Sequence, residues 1–492
     1  MLTARHMACA IHAYSSGIGF VMALRKSRVA SAALLFIAVL ASVSSVLIAE
    51  DNRSVAISAS ELRERRLLLR ERMDSASVAI VGSAEVATRT GDVNFPYRQS
   101  SDFLYLTNIA EPNSFLVVLK EGIQLGNQQI YDILFIPPFD ERQANITGHG
   151  LTNADAMRIS GVDTVFSVLE FSPFLQKLLA GKPAIRVLYH TAFHPGFVYD
   201  WLNDRKIFLE RDAERLLKGR CPSLAVKSIS PLIASFRVTK SPSELQLISK
   251  AVQITCDGIQ AVFRAARPGM KEYELQAILE YTFRWEGAEW TSFPSIVASG
   301  PNSTKIHYDL NERTIKTGDL VVLDVGAEYH GYAADVTRTF PVSGTFSEAQ
   351  RKIYETVLRA QEAAINVVKP GARLRDVDRA ARDVIEKAGF KDYFTHFVGH
   401  PIGLDVHDPG LFSLGGGDTL RTGMVIAVEP GVYIPHGATG VDSAYWNIGV
   451  RIEDDVLVTE AGHQILSSCV PKQIEEIEAL LRSERDNKQM AP

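Results

Sequence analysis

Two aspartates interrupt an apolar segment in the C-terminal half of the chain, LVVLDVGAEYHGYAADVTRTF, which spans residues 320–340. The pattern predicts two strands joined by a turn at His330-Gly331. Counted outward from that turn, Asp324 and Asp335 lie about one diagonal step apart, so both carboxylates can face one side. A single buried aspartate is more often a structural ion-pair partner, because a buried charge needs a counter-charge. Two aspartates on facing strands favour a metal site.

A second candidate segment is rich in histidine. His396, His400 and His407 fall within twelve residues, in a chain that has 12 histidines in all. A lone histidine is usually an ordinary core or surface residue. Three so close together, beside two buried acids elsewhere, favour roles in ligand binding or proton transfer.

Two further apolar strands near the C-terminus carry acidic residues. Glu429 interrupts the strand VIAVEPGVYI just before a Pro-Gly turn, and Arg451, Glu453 and Asp455 alternate in the segment GVRIEDD. Because side chains alternate along a strand, Arg451, Glu453 and Asp455 are expected on one face. Each acid alone indicates little, so the prediction depends on the set.

Together these segments supply four carboxylates, one imidazole and no thiolate. Such an oxygen-rich set suits Mn²⁺ or another hard to borderline divalent ion. Four carboxylates would over-charge one ion, whereas two ions about 3.5–4 Å apart balance them. Such a pair activates water and polarises a carbonyl oxygen, which predicts hydrolysis of an amide or an ester. The predicted ligands are Asp324, Asp335, His400, Glu429 and Glu453.

Composition limits the class of protein to which this chain can belong. It has 492 residues, of which 46% are apolar and 22% charged. That length predicts two or three domains, and that composition excludes a disordered chain. The formal net charge is −5, so a basic nucleic-acid-binding protein is not expected, and we predict no nucleic-acid partner.

The first 49 residues differ in composition from the rest. They contain four of the 52 basic residues and none of the 57 acidic ones, so residues 50–492 carry a net charge of −9. The apolar run Val29–Ala49 follows Arg25, Lys26 and Arg28, a pattern typical of an export signal or a membrane anchor. A buried helix, an organelle transit peptide and a later translation start with a cytoplasmic product are the alternatives. We predict an exported body, periplasmic or secreted, with membrane contact only through residues 29–49.

The cysteines outside this leader are few and widely spaced. Cys221, Cys256 and Cys469 form no CxxC pair and no Cys/His zinc spacing. We therefore predict ordinary core thiols, with neither a disulfide framework nor a structural zinc site.

Short apolar runs interleaved with helical stretches predict an α/β domain over residues 55–228. The helix Glu61–Arg72 mixes positive and negative charges and is expected to present a solvated face. The predicted strands are Ser77–Val81, Phe115–Leu119, Tyr131–Ile136 and Ile185–Tyr189, and the other predicted helices are Glu170–Leu179 and Phe197–Leu202.

An α+β domain is predicted over residues 240–485, after a boundary at 230–240 where Ser230-Pro231 breaks the pattern. Ser241 is a candidate N-cap, with Pro242 at the first helical position and Glu244 completing a capping box, for a helix that ends near Ala266. The other predicted helices are Glu272–Trp285, Glu348–Val368, Leu374–Ala388 and Pro471–Arg482, and the predicted strands are Ile296–Ala298, Asp319–Glu328, Tyr332–Phe340, Val425–Ile434 and Ile448–Val458.

In order and spacing, these motifs resemble those of the Xaa-Pro aminopeptidases (aminopeptidase P), metallopeptidases with the creatinase or "pita-bread" fold. The similarity runs through nearly all of residues 55–470. Segment 98–107 (RQSSDFLYLT) resembles the signature of the family's first domain, and segment 237–244 (RVTKSPSE) resembles its entry into the catalytic domain. The resemblance implies an α/β N-terminal domain, a pita-bread catalytic domain, two divalent ions, and removal of a residue that precedes proline.

The resemblance also implies individual roles for the metal positions. Asp324 matches the acid that chelates one ion, and Asp335 and Glu453 match the two bridging carboxylates. His400 and Glu429 match the ligands of the other ion, and Glu429 is also placed to handle the proton of the bridging water.

Four further matches lie around these ligands. His307, His396 and His407 match histidines that bind substrate or shuttle protons, and Arg451 matches a partner of the acids. A histidine-lined pocket shaped for the proline ring would explain the preference for proline, whose tertiary amide lacks an N–H. The resemblance also implies a homo-oligomer, either a dimer or a tetramer.

Three alternatives to this function remain. A prolidase restricted to Xaa-Pro dipeptides shares the chemistry, although the short stretch 435–447 resembles aminopeptidase P more. Methionine aminopeptidase shares the catalytic fold but normally lacks an N-terminal domain. A catalytically inactive peptide-binding module would have lost metal ligands, whereas all five positions are intact here.

Overall fold

The structure is a computed structural model that describes residues 56–148, 150–180, 185–191, 219, 221–410, 417 and 419–489. The predicted leader, residues 1–49, and the predicted helix Phe197–Leu202 lie outside these ranges. Across the ranges that are described, none of the helices combines the length and the apolar character needed to span a bilayer.

The N-terminal domain is built on a six-stranded sheet in the described part of the chain, with the strand order β6-β5-β4-β1-β7-β8. The two pairs β1/β4 and β4/β5 are antiparallel, and the pairs β1/β7, β5/β6 and β7/β8 are parallel. The strands are β1 (Ser77–Gly82), β2 (Thr88–Thr90), β3 (Val93–Asn94), β4 (Phe115–Leu125), β5 (Gln128–Ile136), β6 (Thr164–Ser167), β7 (Val187–His190) and β8 (Ala225–Ser228). The helices are α1 (Ala59–Arg72), α2 (Ser101–Thr107), α3 (Glu141–Thr147), α4 (Asn153–Ser160) and α5 (Phe171–Ala180).

The core of this domain lies between the sheet and α5. The ring centroids of Phe115 and Phe171 are 4.4 Å apart, and those of Phe135 and Phe171 are 5.2 Å apart. The predicted strands are all present, but β4 and β5 are longer than predicted because they form one hairpin, which turns near Gly126 (φ 60°). The α/β class is therefore confirmed.

The charge pattern of α1 gave a partly wrong prediction. The helix forms as expected, but Arg66 is fully buried and Arg65 nearly so, instead of lying on a solvated face. Arg66 donates from Nε to Asp132 Oδ2 at 2.9 Å and from Nη1 to the carbonyl oxygens of Leu106 and Ser160. Arg66 can be buried because the carboxylate of Asp132 balances its charge. Asp132 lies on a strand distant in sequence, so the charge pattern of α1 does not indicate this pair.

The predicted boundary region, residues 230–240, contains a helix. Residues Ser230–Arg237 form helix α6, with Pro231 in the first turn. Proline is tolerated there because a backbone N–H at that position would have no partner within the helix. Helix α7 (Pro242–Ala265) then begins as predicted. Glu244 N donates to Ser241 Oγ at 3.2 Å, and Ser241 N donates to Glu244 Oε2 at 2.9 Å.

The C-terminal domain surrounds small sheets with long helices. The strand orders in the described residues are β10-β11-β14, β13-β12-β9, β15-β18-β19 and β16-β17. The strands are β9 (Trp290–Thr291), β10 (Ile296–Ser299), β11 (Leu320–Val325), β12 (Ala327–Tyr329), β13 (Tyr332–Ala333), β14 (Val336–Pro341), β15 (Val425–Val428), β16 (Gly431–Ile434), β17 (Ile448–Arg451), β18 (Asp454–Thr459) and β19 (Gly462–Ile465). The helices are α7 (Pro242–Ala265), α8 (Glu272–Trp285), α9 (Glu348–Val367), α10 (Leu374–Lys387) and α11 (Ile474–Gln489).

Each of the four longest predicted strands is split in two. The interruptions fall at residue 326, at 334–335, at 429–430 and at 452–453. At each point the chain leaves one sheet and joins another, so residues in the interruptions lie between sheets. Asp335, Glu429 and Glu453 occupy three of these interruptions.

The prediction of unpaired cysteines is wrong for two of the three. Cys256 of α7 and Cys469, which precedes α11, form a disulfide with Cα atoms 6.0 Å apart. They are separated by 213 residues in sequence, so spacing gave no signal of the pair. Of the cysteines in the described ranges, Cys221 is a free, partly exposed thiol.

Candidate metal centre and active site

The hairpin between β11 and β14 places the two aspartates of the first motif. Asp324 pairs with Thr337, and Asp335 precedes the strand by one residue, which is the predicted diagonal arrangement. The backbone at residue 326 lies close to the backbone at residue 334 because residue 326 is glycine. A Cβ there would lie 1.8 Å from the carbonyl oxygen of Ala334. Both aspartates are buried, as expected.

His400 is placed by backbone hydrogen bonds to the edge of β15. Ala427 N donates to the carbonyl oxygen of His400 at 2.8 Å, and Glu429 N donates to that of Val398 at 2.7 Å. Gly399 permits this contact, since a Cβ there would lie 1.9 Å from the carbonyl oxygen of Ala427. The imidazole of His400 is thereby held beside the carboxylate of Glu429.

The five predicted metal ligands lie around one cavity. His400 Nε2 lies 3.5 Å from Asp335 Oδ2 and 3.7 Å from Glu429 Oε1. Asp335, His400 and Glu453 each offer a ligand atom, and these atoms lie within 4.8 Å of one another. The cavity has a volume of about 190 Å³, and its lining includes Asp324, Asp335, His400, Glu429 and Glu453.

The hydrogen-bonding of these acids fits a bound cation. In the described part of the chain, Asp324 Oδ1 and Asp335 Oδ1 are buried with no hydrogen-bond partner. Burial raises the pKa of Asp335 well above its usual value, and the carboxylates of Asp324 and Asp455 raise it further. Burial together with Asp335 and Glu429 does the same to the pKa of Glu453. Divalent cations would relieve this repulsion and supply the missing partners.

Arg451 lies among the acids, as expected for a partner of the ligands. Its guanidinium is buried and donates from Nη2 to Asp324 Oδ2, from Nη1 to the Tyr433 hydroxyl at 2.7 Å, and from Nε to Thr337 Oγ1 at 3.2 Å. Arg451 therefore fixes one carboxylate oxygen of Asp324 and leaves the other directed at the cavity.

The three remaining predicted histidines occupy different positions. His307 and His407 line the cavity, and the rings of His407 and His400 have centroids 4.0 Å apart. His396 does not line the cavity but hydrogen-bonds through Nε2 to the Tyr433 hydroxyl at 2.9 Å. Burial lowers the pKa of His396 to about 4, so its ring is neutral near pH 7. Burial and the neighbouring rings of His400 and His307 also lower the pKa of His407.

Sequence reasoning missed several residues that contact the predicted ligands or the side chains beside them. The Tyr433 hydroxyl joins Arg451 to His396, Thr337 Oγ1 donates to Glu453 Oε2 at 2.7 Å, and Asp455 Oδ2 accepts from Asp335 N at 3.0 Å. Alternation predicts one face for Arg451, Glu453 and Asp455, but the strand is interrupted at 452–453, and the sequence indicates no contact for Asp455. Tyr433 and Thr337 carried no signal beyond their place in the same strands as the ligands.

One wall of the cavity is apolar. It consists of Phe293, Pro294, Ile296 and Val406, which line the cavity beside the histidines and carboxylates. An apolar wall beside a few convergent polar groups is typical of a small-ligand or substrate site.

Similarity to known proteins agrees with this arrangement. Residues 246–460 match metallopeptidase family M24, and residues 62–188 match the aminopeptidase P N-terminal domain. The Xaa-Pro aminopeptidase of Escherichia coli (strain K12) is 34% identical over 451 residues, which cover 87% of this chain and 99% of that protein.

Two solved structures have the same fold over most of the chain. The structure of Pseudomonas aeruginosa aminopeptidase PepP is 33% identical with a TM-score of 0.79, and the match covers 88% of this chain and 100% of that one. Aminopeptidase P from E. coli with the inhibitor Pro-Leu is 33% identical with a TM-score of 0.76, again over 88% of this chain and 100% of that one.

Proposed function

Since this chain belongs to the aminopeptidase P branch of metallopeptidase family M24, we propose that it is a metal-dependent exopeptidase that hydrolyses the bond between an N-terminal residue and a following proline. The observation that carries the proposal is the cluster of five predicted ligands around one cavity, with two buried carboxylate oxygens that lack a partner among the described residues. An acidic cluster with these properties is costly without cations.

We propose two divalent ions, most suitably Mn²⁺, because four carboxylates and one imidazole match a hard to borderline pair of ions. Asp324, Asp335 and Glu453 would hold one ion, and Asp335, Glu453, His400 and Glu429 the other. When bound, the ions supply the Lewis acidity that activates water and polarises the scissile carbonyl.

The protein's own residues perform the remaining tasks. Glu429 accepts a proton from the attacking water on its carboxylate, and Arg451 holds Asp324 in place through Nη2. His307 and His407 line the cavity and bind the substrate backbone beside the scissile bond. His396 orients Tyr433, whose hydroxyl contacts both His396 and Arg451.

The apolar wall supports a preference for proline. A proline ring presents no N–H and offers only carbon atoms at the position where other residues carry a polar amide. Phe293, Pro294, Ile296 and Val406 can pack against this ring without leaving a buried donor unpaired. Any other residue at that position would bury its backbone N–H against the same wall without a hydrogen-bond partner, which is costly.

We also propose that the body of the protein acts in an oxidising compartment after export directed by residues 1–49. The Cys256–Cys469 disulfide supports this, because disulfides persist in such compartments and are rare in the cytosol. A dimer or a tetramer is proposed from the family resemblance. Fractionation of cells that express the full chain tests the compartment, and recovery only in the cytosol or in an organelle would exclude export.

The experiment that tests the activity is a length series of Xaa-Pro peptides with the purified protein and added Mn²⁺. We expect release of the first residue from tripeptides and longer peptides. Cleavage of dipeptides alone would indicate a prolidase instead. No cleavage at all, with less than one bound ion per chain, would indicate an inactive peptide-binding module.

A further inference from the structure

A buried arginine outside the cavity contacts the loop between two of the site histidines. Arg237, the last residue of α6, is 4% exposed. Its Nη1 donates to Asp102 Oδ1 of α2 at 2.9 Å, and its Nη2 donates to Asp405 Oδ2 and to Asp408 Oδ1, both at 2.6 Å. One guanidinium thus joins the N-terminal domain to residues 403–408, which we call the His407 loop.

The N-terminal domain holds the His407 loop at further points. Ser101 Oγ donates to Asp405 Oδ1 at 2.6 Å, and Arg98 Nη2 donates to the carbonyl oxygen of Leu404. Lys240, which lies between α6 and α7, donates from Nζ to Asp408 Oδ2 at 3.1 Å. These contacts come from outside the catalytic sheets, and two of the three end on the carboxylates of Asp405 and Asp408.

The His407 loop is folded around Asp408. Asp408 N donates to the carbonyl oxygen of Pro401 at 3.0 Å, and Asp405 N donates to Asp408 Oδ1 at 3.2 Å. Gly403 is required for this turn, because a Cβ there would lie 2.5 Å from Asp408 Oδ2. Since His407 immediately precedes Asp408, the position of the Asp408 carboxylate sets where the His407 ring can lie.

His400 has a separate support. Its backbone and that of Ile402 pair with β15, where Ala427 N donates to the His400 carbonyl oxygen at 2.8 Å and Ile402 N donates to that of Val425 at 3.0 Å. Arg237 makes no hydrogen bond to residues 398–402 in the described structure. The metal-side histidine is therefore fixed by the sheet, and the substrate-side histidine by the arginine and its carboxylates.

We infer that Arg237 is a positioning residue for His407, and that the N-terminal domain sets turnover through it without contributing to metal binding. This inference rests on the proposed function only for the role of His407 in the reaction. Burial would lower the pKa of Arg237, but Asp408, Asp405 and Asp102 raise it overall, so the guanidinium stays charged at any working pH.

The test compares full-length, metal-loaded Arg237→Lys with the matched variant Arg66→Lys. Lysine keeps the charge but cannot donate to three carboxylates with a planar fork. Arg66 is a similarly buried arginine of the N-terminal domain, paired with Asp132, and none of its hydrogen bonds in the described structure goes to the His407 loop. We expect Arg237→Lys to lower kcat on an Xaa-Pro tripeptide at least tenfold with the bound metal per chain unchanged, and Arg66→Lys to keep kcat within twofold.

A double-mutant cycle separates positioning from general damage. In the His407→Ala background, Arg237→Lys should lower kcat by less than twofold, because the residue that it positions is gone. A full tenfold loss in that background, or loss of metal in parallel with kcat, would overturn the inference. Wild-type kcat in Arg237→Lys would overturn it as well.

Two further measurements keep the test decisive. If Arg237→Lys does not fold, two milder variants act at the partly exposed carboxylate of Asp405. Asp405→Asn removes the charge that pairs with Arg237, Ser101→Ala removes one hydrogen bond to that carboxylate, and each should lower kcat twofold or more in the wild-type background only. An NMR spectrum of ¹³C-histidine-labelled protein needs no substrate. The His407 resonance should shift in Arg237→Lys but not in Arg66→Lys, and an unshifted resonance would contradict the positioning role even if the wild-type protein did not cleave Xaa-Pro peptides.

Discussion

The imidazole Nε2 of His400 lies 3.5 Å from Oδ2 of Asp335. His400 lies beside β15, whereas Asp335 precedes β14, and these two strands belong to different sheets. The second oxygen of Asp335 is buried and has no hydrogen-bond partner among the described residues. The two groups thus lie on either side of a gap between sheets that a cation would fill.

Replacing His400 with alanine is expected to remove metal from the site. In the proposed site the imidazole nitrogen is the one neutral ligand among the acids, and its loss should lower metal affinity at least tenfold. Metal analysis after dialysis checks this, with His463→Ala as the control, because His463 contacts the carbonyl oxygen of Val368 away from the cavity. Equal metal content in the two variants would mean that His400 is not a ligand.

Replacing Glu429 with glutamine is expected to abolish turnover while the fold is kept. The change removes the proposed charged ligand and proton acceptor, and loss of general-base catalysis alone costs about 10²–10⁴-fold in rate. The matched control is Glu460→Gln, since Glu460 is exposed in a turn after β18. Circular dichroism should show two folded variants. Near-normal kcat in Glu429→Gln would refute the assignment.

Metal affinity is expected to weaken as the pH falls below about 7. In the metal-free protein, burial raises the pKa of Glu429 to about 7, although His400 and Arg451 act in the opposite direction. The pKa values of Asp335 and Glu453 are raised as well. Protons therefore compete with the ion below that pH, and the apparent affinity should fall at least about tenfold between pH 8 and pH 6. Calorimetric titrations in buffers of different ionisation enthalpy should detect proton release on binding, and a pH-independent affinity would contradict the prediction.

Removing the disulfide is expected to destabilise the catalytic domain. Cys256 and Cys469 join α7 to the segment before α11 across 213 residues of sequence. Loss of a cross-link typically lowers the free energy of unfolding by about 2–5 kcal/mol. Urea denaturation of Cys256→Ser measures this, and Cys221→Ser is the control because Cys221 is a free thiol. Identical denaturation midpoints in the two variants would show that the cross-link does not contribute.

Local signals in the sequence predicted much of the fold. Helix α8 has the predicted bounds Glu272–Trp285, and the Ser241–Glu244 capping box begins α7 as expected. The fold class, an α/β N-terminal domain followed by an α+β pita-bread catalytic domain, is confirmed by the family and structural matches. These features depend on residues close together in sequence, where capping and hydrophobic periodicity act directly.

Features that depend on distant residues were missed. Arg66 looked solvated because its partner Asp132 lies on another strand, and Cys256 looked unpaired because Cys469 is far along the chain. The splitting of the long strands was missed for a related reason. An apolar run looks continuous in sequence even where the chain crosses between sheets, and at Glu429 and Glu453 the crossing is what directs the carboxylate into the cavity.

The central claim, a metal-dependent exopeptidase that requires proline at the second position, is tested most directly with two matched peptides. One begins Arg-Pro-Pro and the other Arg-Ala-Pro, and each is incubated with the Mn²⁺-loaded protein, with chelator, and with chelator followed by excess Mn²⁺. We predict release of free arginine from the first peptide, at least about 100 times faster than from the second, abolished by chelator and restored by Mn²⁺. Equal release from both peptides, or release that chelator does not affect, would contradict the account.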